Sequence, residues 1–273
     1  MGASAILKSI VPPLLWNIGS RFKRRVVRST TLLEYAPDGW ATKLPNDLNS
    51  DDFWIAFIAK EQASCEALIA RVHAGEPLLY PDGDANSKNA VFGYVLALAA
   101  GAHQKLSVLD YGGNMGEFYW FGRALVPNVQ LDYHCKELPS VAEAGRRLSP
   151  GVTWHTDDTC LDAPYDLVMF SSSIQCLPDW KNVLHRAALS ARGYLLLSDV
   201  GTTRDVPTFV ATHREGGHMC MQMAINRSEI IDTAERASLR LIREFPMGAH
   251  PPIVNAPEQP TCMGWLFQRR YRK

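Results

Sequence analysis

A chain of 273 residues, 47% hydrophobic and 21% charged, is long enough to bury a sizeable core and reads as an ordinary globular protein. Lys plus Arg equals Asp plus Glu at 28 each, so no overall field argues for a nucleic acid or a strongly acidic partner. No apolar run reaches the roughly 18 residues that span a bilayer, and six scattered cysteines without a C-x-x-C pair argue against structural zinc and for a reducing, cytoplasmic setting.

Residues 1–28 combine Ile6, Leu7, Ile10, Leu14, Leu15 and Trp16 with Lys8, Arg21, Lys23, Arg24, Arg25 and Arg28, and contain no acid. Broken by Pro12-Pro13, this basic amphipathic stretch is a candidate for peripheral membrane contact. The alternative is that Trp16 and its neighbours pack on the main domain with the arginines solvated. Lys8 interrupts any signal-peptide core, so secretion is not expected.

From Ser29 to about Asn86, turn formers at Pro37-Asp38-Gly39, Pro45-Asn46-Asp47 and Pro81-Asp82-Gly83-Asp84 bracket one strong helix. Ser50-Asp51-Asp52 caps it, and Phe53, Ile55, Phe57, Ile58, Leu68, Ile69 and Val72 supply its apolar face. Residues 1–85 are thus expected to form a helical extension or lid, and residues 86–273 the main domain. A second helix, from about Asn89 to Ala100, leads into the first strand.

From Leu106 onward strand and helix patterns alternate, the signature of a parallel sheet covered on both faces. Seven strands are expected, at Leu106–Asp110, Val129–Cys135, Val152–His155, Tyr165–Phe170, Gly193–Ser198, Leu239–Phe245 and Met263–Gln268. The last two would form an antiparallel pair at one edge, joined by the loop holding Pro251-Pro252, Pro257 and Pro260. Helices are expected at Glu117–Leu125, Ser140–Leu148, Trp180–Leu189 and Arg227–Ser238.

Ligands of such sheets bind beyond the carboxyl ends of the strands. Asp110 closes the first strand, and the turn Gly112-Gly113-Asn114-Met115-Gly116 lets a ligand approach bare backbone. Glu137 ends the second strand, beside Leu138, where a carboxylate can accept from both hydroxyls of a ribose. Asp157 and Asp158 follow the third strand, where one of them can accept from an adenine amine, the alternative being turn capping.

A dinucleotide turn reads G-x-G-x-x-G and needs a bare helix N-terminus for the pyrophosphate. Here the spacing is Asp-x-Gly-Gly-x-x-Gly, and the charge of Asp110 favours a cationic ligand over a diphosphate. This counts against a nicotinamide-dependent oxidoreductase. S-adenosylmethionine carries a sulfonium and an ammonium and no phosphate.

The order of acidic strand end, glycine turn, ribose acid and adenine acid resembles class I S-adenosylmethionine-dependent methyltransferases. Val108-Leu109-Asp110-Tyr111-Gly112-Gly113, Lys136-Glu137-Leu138-Pro139 and Ser171-Ser172-Ser173-Ile174-Gln175 with Asp179-Trp180 are similar to a group of bacterial methyltransferases often associated with cell-surface polysaccharide or other specialised biosynthesis. The resemblance spans about residues 30–215. It implies a Rossmann-like fold of seven mostly parallel strands with helices on both faces and an N-terminal helical extension. It also implies S-adenosylmethionine as cofactor, held by Asp110, Gly112, Gly113, Asn114, Gly116, Glu137, Leu138, Asp157, Asp158, Ser171 and Ser172. Asn114 departs from the pattern, standing where the class usually has its middle glycine.

Methyl transfer to oxygen needs a base, whereas a neutral amine can do without one. His213 is the first choice because imidazole titrates near neutrality, with Asp199 and His218 as alternatives; a structural role for His213 stays open. No persuasive set of carboxylates and histidines suggests a metal. The expected acceptor is a small molecule or a glycan, and neither a basic groove nor interleaved aromatics suggests DNA or RNA. The alternative reading is a non-catalytic adenosyl-ligand-binding scaffold subunit of a biosynthetic complex. Nothing in the sequence sets the oligomeric state.

Overall fold

The computed structural model describes residues 33–40, 51–78, 83–101, 103–215 and 218–270. Residues 1–28, read above as a basic amphipathic stretch, lie outside the described residues.

The centre of the molecule is β2 (Lys105–Tyr111), a strand buried from Val108 to Tyr111. It pairs in parallel with β3 (Gln130–Lys136) on one side and β5 (Tyr165–Ser171) on the other. β4 (Val152–His155) lies outside β3, and β6 (Ala191–Thr203) lies beyond β5. β11 (Thr261–Arg269) runs antiparallel to β6, and β9 (Leu239–Gly248) antiparallel to β11, so the sheet reads β4-β3-β2-β5-β6-β11-β9. This is the expected Rossmann-like architecture, with the antiparallel pair at one edge.

Strands buried on both faces must be apolar at nearly every position. Leu109, Val168, Phe170, Leu195 and Leu197 point into one core, closed by α5 (Trp180–Ser190) and α6 (Arg227–Arg236). Val108, Leu167, Met169 and Leu196 point into the other, under α1 (Asp51–His73), α2 (Gly83–Ala100), α3 (Glu117–Leu125) and α4 (Pro139–Leu148). Alternate residues of one apolar run thus serve opposite cores.

Four further strands were not expected. β1 (Leu33–Ala36), β7 (Phe209–Glu215), β8 (His218–Asn226) and the short β10 (Ile253–Val254) assemble in the order β10-β1-β7-β8 around a small core of Leu33, Phe209, Ala211, Ala224 and Ile253. The lobe joins the main sheet through β8, which pairs with the far end of β6 at Thr202 and Thr203. β6 is 13 residues long: along one edge its first part pairs with β5 and its last residues with β8, while β11 runs along the other edge from Tyr194 to Thr202. Asn226 fixes the exit: its side chain accepts from Ser228 N to cap α6 and donates to the carbonyls of Arg204 and Val206. α2 also starts earlier than expected, at Gly83 rather than near Asn89, which places Lys88 on a helix.

Where α4 crosses β4 there is no room for a side chain. A Cβ at Gly145 would lie 2.3 Å from Trp154. Helix propensity alone favours Gly→Ala by about 1 kcal/mol. The steric conflict has the opposite sign and is larger, about 1–3 kcal/mol after relaxation. Gly145→Ala is therefore expected to lower the melting temperature by a few degrees in a thermal melt, and an unchanged or raised value would contradict this packing.

Candidate functional site

β3 departs to one side of β2 and β5 to the other, which opens a crevice at their carboxyl ends. The crevice is a cavity of about 810 Å³, walled by the glycine turn, the ends of β5 and β6, α1 and the antiparallel lobe.

Its floor is built from close contacts. Gly112 has φ +78°, and a Cβ there would lie 2.4 Å from Ser173 Cβ. A Cβ at Gly113 would lie 2.4 Å from Asp110 Oδ2 and 2.7 Å from Cys135 Sγ. Gly116, at φ +82°, starts α3 against Ser149 and Trp154. Asn114 has φ +53°, the left-handed conformation that asparagine tolerates best after glycine. This accounts for its place in a turn that usually carries glycine there. Its backbone N–H donates to Glu137 Oε1 at 3.0 Å, and its side-chain Nδ2 donates to Glu61 Oε2 at 2.7 Å. Asn114 Oδ1 is buried with no partner among the described residues.

Asp110 does not line the crevice. It lies wholly buried beneath Gly113, with Oδ2 accepting from Tyr133 O–H at 2.9 Å and Oδ1 unpartnered among the described residues. Burial pushes its carboxyl up to about 7. Any influence on a ligand therefore passes through the turn as charge.

Glu137 and Leu138 do face the crevice. Glu137 Oε1 accepts from Asn114 N and Oε2 from Leu138 N at 2.8 Å, which fixes the carboxylate and leaves lone pairs on both oxygens. Burial raises its pKa despite these two backbone donors. Asp157 and Asp158 sit off the crevice wall. Asp157 is exposed and caps a short 3-10 turn by accepting from Thr159 N at 3.0 Å. Asp158 accepts from the Tyr111 hydroxyl at 2.6 Å and lies 3.8 Å from Lys136 Nζ.

Ser171, Ser172 and Asp199 converge at the ends of β5 and β6. Ser172 Oγ donates to Asp199 Oδ2 at 2.5 Å, Lys88 Nζ forms an ion pair with the same carboxylate, and Cys262 Sγ donates to Oδ1. Burial acts to raise the Asp199 carboxyl, but Lys88, Cys262 and Ser172 together outweigh it and hold it below the ordinary range. With both oxygens engaged, Asp199 is a poor proton acceptor and a well-anchored negative charge. His213 lies on β7 opposite Cys220; its side chain, like that of His218, lies outside the described residues.

Asn114, Ser172 and Asp199 all have positive φ and all line this crevice. Such non-glycine residues cost of order 1 kcal/mol or more each and tend to gather at functional sites.

Two groups at the crevice escaped the sequence reading: Lys88, which reaches Asp199 from α2, and His250, in the loop after β9. Trp40, which follows β1, also lines it. The Ala249-His250-Pro251-Pro252 run was legible only as a connection between edge strands. A signal for β7 and β8 did exist, since Gly216-Gly217 between two strand-like runs is a hairpin signature.

No family model matches the chain, and no curated protein matches it by sequence. Solved structures with a similar chain path include the 1,6-didemethyltoxoflavin-N1-methyltransferase of Burkholderia thailandensis with bound S-adenosylhomocysteine, at 13% identity and TM-score 0.48, covering 84% of this chain and 94% of that one. Another is the magnesium protoporphyrin IX methyltransferase of Synechocystis PCC 6803 with bound S-adenosylhomocysteine, at 12% identity and TM-score 0.49, covering 80% and 100%. A third is an amino pentose methyltransferase from Micromonospora echinaspora with bound S-adenosylmethionine, at 14% identity and TM-score 0.45, covering 71% and 99%.

Proposed function

We propose that the crevice binds S-adenosylmethionine and that the chain is a class I S-adenosylmethionine-dependent methyltransferase acting on a small-molecule or glycan-type acceptor. The observation that carries the reading is Glu137: a carboxylate pinned by two backbone N–H groups, facing the crevice beside a turn in which no Cβ fits at Gly112. That pairing suits a ribose diol over bare backbone. Two buried acceptors on the same wall, Asn114 Oδ1 and Gln175 Oε1, have no partner among the described residues and suit the hydrogen-bond donors of a ligand. The cavity also has room for a cofactor and an acceptor together.

In this reading Glu137 and Leu138 hold the adenosine part, and Gly112 and Asn114 lie under the amino-acid part. When bound, the cofactor supplies an electrophilic methyl group on a sulfonium. The chain's own work is to orient, to exclude water and to place negative charge near the cation. Asp110 beneath the turn provides that charge as pH rises past about 7, where its raised carboxyl ionises. Phe57 of α1 and Trp40 after β1 stand on the crevice wall. No described helix is long and apolar enough to cross a membrane.

The test is transfer of tritium from methyl-labelled S-adenosylmethionine to a panel of hydroxylated and aminated small molecules and sugars. Label in an acceptor, with stoichiometric S-adenosylhomocysteine, is the expected result. Binding without transfer to any acceptor favours the scaffold reading.

A further inference from the structure

His250 Nδ1 lies 2.7 Å from the carbonyl oxygen of Pro251. A carbonyl only accepts, so Nδ1 carries the proton and Nε2 keeps its lone pair. Nε2 sits over β6 at Gly201, where a Cβ would come within 2.4 Å of it, so glycine makes room for the ring. Both residues are on the crevice wall, and no described residue hydrogen-bonds Nε2.

The charges on the crevice are already matched. Lys88 pairs with Asp199, Lys136 Nζ lies 4.7 Å over the Tyr111 ring and near Asp158, and Glu137 is held by backbone N–H groups. The rest of the wall includes Leu33, Trp40, Leu177 and Met221. A charged acceptor would shed its water there without meeting a counter-charge, whereas an uncharged apolar one would not.

We infer that His250 Nε2 accepts the proton of an acceptor hydroxyl, and that the acceptor is an uncharged, largely apolar phenol-type compound; this rests on the methyltransferase reading above. The hydroxyl proton moves to Nε2. The oxygen forms the new C–O bond as the methyl–sulfur bond breaks, and the electron pair of that bond stays on sulfur, which becomes a neutral thioether. Burial holds the imidazole below its usual pKa, so it is neutral and able to accept near pH 7, while the charge of Asp199 favours the imidazolium that forms. The other titratable groups on the crevice are Tyr111, Lys136, Glu137, Asp199 with its partner Lys88, and the thiols of Cys176, Cys220 and Cys262. A weakened base is better matched to a phenol than to an alkanol.

The test has an arm that does not depend on turnover. 4-Nitrophenol titrated into the cofactor-free protein is expected to bind in its neutral form and to show a red-shifted absorption band from the hydrogen bond its O–H donates to Nε2. His250→Gln should abolish that band, and with His250→Ala added imidazole should restore it. With S-adenosylmethionine present, His250→Gln should lower kcat on simple phenols by about 100-fold or more and leave the acceptor KM within a few fold. No binding of the probe, a band that survives both substitutions, or transfer to alkanols or anilines in preference to phenols would overturn the inference. Calorimetry with S-adenosylmethionine on the same preparations separates the failures. Loss of cofactor binding in the wild type defeats the methyltransferase reading, and normal cofactor binding with a His250-independent band defeats only this one.

Discussion

Glu137→Ala is expected to weaken S-adenosylmethionine binding by about a hundredfold or more while the protein stays folded. A hydrogen bond to a charged acceptor contributes about 1.5–3 kcal/mol, and a ribose diol would make two of them to this carboxylate. The substitution also removes the acceptor that holds Asn114 N and Leu138 N, so the turn loses its brace together with its ligand contact. Glu137→Gln, which keeps one acceptor oxygen, should fall between the two. Titration calorimetry measures the affinity and a thermal melt checks the fold; unchanged affinity in the alanine variant would refute the ribose role.

Asp110→Asn is expected to make the protein more stable at pH 8 and a weaker cofactor binder. The Asp110 carboxyl is pushed up to about 7 from an ordinary value of 3.8 because it is fully buried. Between those two values the folded state holds a proton that the unfolded chain releases. The stability difference between wild type and variant therefore opens as pH rises through about 4 and levels off above about 7. Its size, about three pKa units, corresponds to roughly 4 kcal/mol at pH 8. Asparagine can still accept from Tyr133 O–H and carries no charge to desolvate. The same substitution removes the negative charge under the turn, so S-adenosylmethionine should lose more affinity than the uncharged thioether S-adenosylhomocysteine. Paired melts from pH 4 to pH 8 measure the first effect, and a pH-independent difference would contradict it. Glu117, also raised to about 7 by burial, titrates in both proteins and adds to the Asp110 shift through its charge.

A single residue at φ > 0, such as Asn114, was conspicuous in the sequence because it broke a glycine pattern, and the left-handed turn explains it. The seven strands of the main sheet were equally legible, since strands sandwiched between helices have to be apolar throughout, as Leu195, Leu196 and Leu197 are. Glu137 and Ser172 could be placed because strand ends are where such sheets put their ligands. Apart from the Gly216-Gly217 hairpin signal, the lobe of β1, β7, β8 and β10 was hidden for a physical reason. Its strands, such as Phe209–Glu215, mix apolar with polar residues because they share only a small core. Long-range closure was hidden as well: nothing local in Asn86 to Ala90 announces that Lys88 pairs with an aspartate 111 positions away, between residues 88 and 199. Asp157 and Asp158 were placed after the right strand, but Asp157 caps a turn and Asp158 holds Tyr111, roles set by backbone path rather than by residue type.

The most direct test of the account is a calorimetric titration of the wild-type protein with S-adenosylmethionine, S-adenosylhomocysteine and NAD. One site per chain for both adenosyl ligands, with a dissociation constant of roughly 1–1,000 μM, competition between them, and no heat with NAD is the predicted result. Binding of NAD with no heat from either adenosyl ligand would contradict it.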